Sequence, residues 1–199
     1  MKLVKHAIGM LAALLFLTMS AKADTVTVYF NGSYDFANNG VGIPLYGGTM
    51  DGQSEEFYCV DYSHEIYGNT NWKATVTQIG ATTNYSGTRL DNATDYMEIA
   101  WLLDQSLVST NQTTQAELQW AVWSFSGGGN PYGTNSTLLT EALNAVHNGF
   151  TDYNWEILTP TGSYGQEFFV RTPEPSTLLM LSGGLIGLFF LRRRGQLCC

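Results

Sequence analysis

Two side chains in this 199-residue sequence have the makings of covalent chemistry, Cys59 and Gln119. Cys59 is the one cysteine between residues 24 and 172 and sits in the apolar run Phe57-Tyr58-Cys59-Val60-Asp61. No disulfide can form within that stretch, and a thiol in apolar company ordinarily serves as a packed, inert small hydrophobe. Gln119 is the one polar side chain in Leu118-Gln119-Trp120-Ala121-Val122-Trp123. That turn is apolar nearly all round, which predicts burial. A buried carboxamide without partners costs roughly 1–3 kcal/mol, so Gln119 needs a bonded partner. Backbone groups, a water or a covalent bond would each serve.

The other chemistries have less behind them. A hydrolase pairing Cys59 with His64 or His147 lacks a local signature, and is kept as a remote alternative. Three histidines, one of them His6 near the start, are too few for a His-rich zinc site, so no metal and no cofactor are expected. Asp91, Asp95 and Glu98 are spaced as the solvated start of a helix. Asp51-Gly52 lacks the spacing of a calcium loop. Gly127-Gly128-Gly129 follows a helix instead of opening one, so it makes no phosphate cradle. Five N-x-S/T sequons, at Asn31, Asn84, Asn92, Asn111 and Asn135, are matched by chance composition. Exposed tyrosines with Asn and Asp offer an unspecific surface for stacking on sugars.

The elements that must position Cys59 and Gln119 follow from periodicity. Alternation marks strands at Thr25–Phe30, Gly40–Tyr46, Glu56–Tyr62 and Trp72–Ile79, with turns expected at Asn31-Gly32-Ser33, Gly47-Gly48 and Asp51-Gly52. Asp91–Leu107 reads as an amphipathic helix through Tyr96, Ile99, Ala100 and Leu103. Thr114-x-x-Glu117 is a capping box for a second helix reaching Phe125. A third, capped by Asn135, is expected to bury Leu138, Leu139, Ala142, Leu143 and Val146 and to stop at Gly149. Trp155–Leu158 and Glu167–Val170 close the domain. The fold class is α+β, with antiparallel strands in 24–80 and 153–170 packed on a three-helix segment in 91–149.

The ends read as addresses. Residues 1–23 form a signal peptide: Lys2 and Lys5, an apolar run, then Ala21-Lys22-Ala23. Residues 24–171 are the extracytoplasmic domain. Residues 172–199 are a sorting and anchor segment, with a transmembrane helix at 176–191 of about 24 Å. Arg192, Arg193 and Arg194 stay cytoplasmic by the positive-inside rule. Cys198 and Cys199 extend beyond that cluster. Between residues 24 and 172, Lys73, Arg89 and Arg171 stand against sixteen carboxylates. So acidic a surface repels phosphate and excludes nucleic acid as a partner.

Two resemblances carry these residues further. Pro173-Glu174-Pro175-Ser176-Thr177, an apolar helix and the Arg cluster resemble the PEP-CTERM sorting signal. The resemblance implies export across the inner membrane of a Gram-negative bacterium, a transient membrane anchor and processing by an exosortase-type enzyme near Pro173-Glu174-Pro175. It places the domain at the cell surface or in an extracellular matrix.

Tyr58-Cys59 on a strand and Gln119-Trp120-Ala121-Val122-Trp123 on a helix are similar to the two signatures of the thioester domains of bacterial surface adhesins. Two departures stand out: a shorter separation, and Glu117-Leu118 before the Gln. The resemblance implies an internal thioester in which the Cys59 sulfur has displaced ammonia from Gln119. It further implies a surface amine as target. Ring closure needs a thiolate, so a cationic or dipolar neighbour is expected to lower the Cys59 pKa. Tyr58, Trp120 and Trp123 are expected to line the pocket and keep it dry. His64 and Asp61 are the nearest bases for the amine proton. The chain is expected to be non-enzymatic, and the alternative to the thioester is a structural or carbohydrate-binding matrix protein with Cys59 merely packed.

Overall fold

The computed structural model describes residues 25–129, 131, 135–172 and 182–183. The expected signal peptide, most of the sorting segment with its transmembrane helix, and Cys198-Cys199 lie outside the described residues. Among the described residues no helix is long and apolar enough to cross a membrane.

Six strands form a closed, wholly antiparallel barrel: β1 (Thr25–Asn38), β2 (Val41–Met50), β3 (Gln53–Cys59), β4 (Thr70–Gln78), β5 (Trp155–Pro160) and β6 (Phe168–Arg171). Around the barrel the order is β1-β2-β3-β6-β5-β4, and β4 closes on β1. Closure leaves no free sheet edge. Three helices enter between β4 and β5: α1 (Ala93–Val108), α2 (Gln112–Ser124) and α3 (Asn135–His147). The expected strands–helices–strands order holds. That the strands close on themselves is new.

Alternation along the strands builds two cores. Inward-facing residues from all six strands, among them Val28, Ile43, Phe57, Cys59, Ala74, Leu158 and Phe168, fill the barrel. Their neighbours Tyr58, Ile157 and Phe169 face out and meet Tyr96, Ile99, Leu103, Leu118 and Val122 of the helices. Helix α2 belongs to both cores. Leu118, Ala121 and Val122 pack in the outer one, while Trp120 and Trp123 join the barrel interior.

Several turn signals are realised differently from the sequence reading. Asp51-Gly52 is a turn as expected, with φ of 48° and 82°, and Asn39-Gly40 forms a second one at 49° and 81°. Both join strands across two residues with positive φ, the geometry that suits the twist of a hairpin. Asn31-Gly32-Ser33 does not end β1; the strand runs on to Asn38 through register shifts after Phe30 and Tyr34. Asn31 Oδ1 accepts the Ser33 N–H at 2.8 Å, so the turn chemistry makes a bulge inside the strand. Gly47-Gly48 lies within β2, paired with Glu56 and Glu55 of β3. A Cβ on Gly48 would stand 2.0 Å from the Tyr29 carbonyl oxygen, so close approach explains the glycine.

The helices also depart in detail. Asn111, not Thr114, caps α2: its side chain accepts the Thr113 and Thr114 N–H groups. Glu98, expected in solvent, is buried. In α3 only Ala142 of the five expected core residues is fully buried, and Leu143 is exposed, because this helix covers the outer core from one side.

Candidate functional site

Cys59 is the last residue of β3, paired with Phe168 of β6. Helix α2 crosses above it through the two tryptophans that plug the barrel, and this sets Gln119 against the strand end. The Gln119 Nε2 donates to the Cys59 carbonyl oxygen at 2.8 Å. Both residues are withdrawn from solvent, Cys59 at 0% exposure and Gln119 at 1%. The Gln119 Oε1 is buried without a hydrogen-bond partner. Half of the carboxamide is satisfied by the peptide of the expected partner, and the carbonyl half by nothing.

The thiol donates to the Asp61 carbonyl oxygen at 3.5 Å. Burial pushes its pKa up to about 12, and the neighbouring Trp123 side chain offsets this only in part. The expected lowering of the thiol pKa is therefore reversed. Arg89 faces the Asp61 carboxylate, 3.5 Å from its Nε, not the thiol.

Asp61 and His64 do form a unit beside the sulfur. The His64 Nδ1 lies 2.8 Å from Asp61 Oδ2, and Asp61 Oδ1 accepts the Ser63 hydroxyl at 2.7 Å. Trp120 and Trp123 meet edge to face with centroids 5.0 Å apart, and Tyr62 touches both rings at 5.5 Å. Tyr58 stands apart from this group. As the residue before Cys59 it faces the opposite side of the strand, edge-on to Trp155 in the outer core at 5.2 Å.

Three contributors escaped the sequence reading. Gln166 donates to the carbonyls of Asp61 and His64, tying the loop after β3 to the approach of β6. Glu167 is fully buried and accepts the Tyr96 and Thr159 hydroxyls and the Arg89 N–H. Tyr62 covers the tryptophans. Apart from Thr159, eight residues before Glu167, their partners are distant in sequence, and no local spacing signals them.

Residues 171–194 match the PEP-CTERM protein-sorting motif, which implies exosortase-dependent export and sorting to the cell surface. No curated protein matches the chain. Among solved structures the chain is similar to the N-terminal thioester domain of a surface protein from Clostridium perfringens. Identity is 16%, the TM-score is 0.40, and the match covers 74% of this chain and 98% of that one.

Proposed function

We propose that the chain is a non-enzymatic surface or matrix protein whose barrel domain stores an internal thioester between Cys59 and Gln119. The observation that supports this reading is the buried Gln119 carboxamide, held one hydrogen bond from the Cys59 peptide with its oxygen unpaired. In forming the bond, the sulfur loses its proton and attacks the carboxamide carbon; the C–N bond breaks and ammonia leaves with that proton. A target amine later attacks the same carbon. The C–S bond then breaks, an amide forms and the thiol is regenerated.

On this reading closure takes place while the sulfur is still hydrated, before the tryptophans seal the barrel, because burial raises the thiol pKa. Once sealed, the same dry surroundings protect the thioester from hydrolysis. The His64–Asp61 pair is the base for the incoming amine.

The experiment is intact-mass measurement of the purified full-length chain. The bond removes ammonia, a deficit of about 17 Da that Cys59→Ala abolishes, and methylamine then adds to the wild type alone. A full-mass wild type inert to methylamine would sink the reading.

A second reading has its own observation. The thiol already has a hydrogen-bond acceptor in the Asp61 carbonyl and a full apolar shell. This supports a structural protein in which Cys59 is only packed, and full mass is its expected result. A hydrolase needs its sulfur to meet substrate, which a fully buried thiol with a raised pKa opposes.

A further inference from the structure

The loop after β3 and the β1–β2 hairpin stand apart at one end of the barrel. Between them lies an open cleft of about 400 Å³, within the range of small-ligand sites. Its walls include Tyr34, Tyr62 and Tyr67 over the buried Trp123, with His64, Glu65 and Gln166 as polar groups. Three of the tyrosines are among the exposed large side chains of the domain, Tyr67 at 64%. Solvent-facing aromatic rings offer flat apolar faces with a polar tip, suited to a ligand that is apolar on one side and hydroxylated on its rim.

Charge narrows the ligand. No lysine or arginine lines the cleft, and the one histidine that does, His64, is held 2.8 Å from the Asp61 carboxylate. The Lys73 ammonium is held by the Thr27 hydroxyl, Arg89 faces Asp61, and Arg171 pairs with Asp104 and Asp152. Glu65 adds negative charge at the cleft wall, where its carboxylate accepts the Tyr67 hydroxyl at 3.1 Å. Anionic chains are repelled, and an uncharged polyol with apolar ring faces is not.

The topology aims the cleft outward. Cys59 pairs with Phe168 and Tyr58 with Phe169, so the loop after β3 and residues preceding β6 share one barrel end. Arg171, where the sorting motif begins, pairs with Trp155 at the other end. The chain leaves toward its sorting segment on the side away from the cleft.

We infer that this cleft binds a neutral polysaccharide chain, its sugar rings stacked on the exposed rings of Tyr34, Tyr62 and Tyr67. The cleft shares Tyr62, His64 and Trp123 with the surroundings of the Cys59–Gln119 pair, but neither Cys59 nor Gln119 lines it, and it stands whether or not their bond forms.

The test is electrophoresis of the full-length chain in detergent, through gels containing dextran, laminarin or N-acetylglucosamine oligomers, with alginate as the anionic control. Migration slows in at least one neutral gel and is unaffected by alginate. Tyr67→Ala, a change at an exposed ring, weakens the retardation about tenfold, as truncating one aromatic anchor of a small site does. Cys59→Ala retains it, so loss of the thioester reading leaves this one standing. Unretarded migration in every neutral gel overturns the inference. So does equal retardation by alginate, an unchanged Tyr67→Ala variant, or abolition of retardation by millimolar methylammonium, which would mark a cation site.

Discussion

Cys59 and Gln119 are conspicuous in the sequence because each is a chemical exception inside an apolar run, and burial turns that exception into a constraint. The carboxamide must be satisfied where it lies, and it reaches a strand sixty residues away to do so. The thiol gives a direct measurement. In the folded protein a thiol-specific reagent should leave Cys59 unmodified, since it is fully buried and its pKa is pushed up to about 12. After unfolding in urea, a packed cysteine releases one thiol for residue 59 at once. A thioester releases it only as the bond hydrolyses, so a delayed appearance separates the two readings without mass measurement. Tyr58 shows where residue-level reading fails. Adjacency in sequence suggested a shared pocket, but strand parity sends consecutive side chains to opposite faces.

At the scale of elements, β2 depends on a pair of glycines that the sequence reading took for a turn. Gly48 brings β2 against the Tyr29 carbonyl, and a methyl group there would meet backbone at 2.0 Å. Gly48→Ala should therefore cost at least about 3 kcal/mol, as a clash that only backbone movement relieves; a denaturant midpoint unchanged from wild type would contradict it. Glycine marks both turns and close approaches, and one sequence cannot say which. The strands with clean alternation and the helices with a 3.6-residue apolar stripe were legible, because one buried face imposes each pattern. Barrel closure was not, since it depends on pairings such as β3 with β6 and β1 with β4, which span long separations and leave no local trace. The cleft was illegible for the same reason: β1, a hairpin, a loop, α2 and residue 166 each supply a part.

For the molecule as a whole, the scarce cations and abundant carboxylates set how stability responds to pH. Glu55, Asp95, Glu98, Asp104, Glu156 and Glu167 are all raised above their usual values, burial being the first cause in each. The Asp104 carboxyl reaches about 6: burial dominates and Asp152 adds to the rise, while Arg171 opposes it. A carboxyl whose pKa rises on folding holds its proton more tightly in the folded state. Its contribution is complete below the unfolded value and is lost as pH climbs through the folded one. The domain should therefore unfold at a lower urea concentration at pH 7 than at pH 5. Asp104→Asn should flatten part of that fall, since it removes from the titration a carboxyl raised to about 6. Added salt should narrow the difference by screening the repulsion among sixteen acidic groups. A midpoint that rises from pH 5 to pH 7 would mean that the ion pairs of Arg89 and Arg171 outweigh the buried carboxyls, and that the acidic surface is better neutralised than its sparse cations suggest.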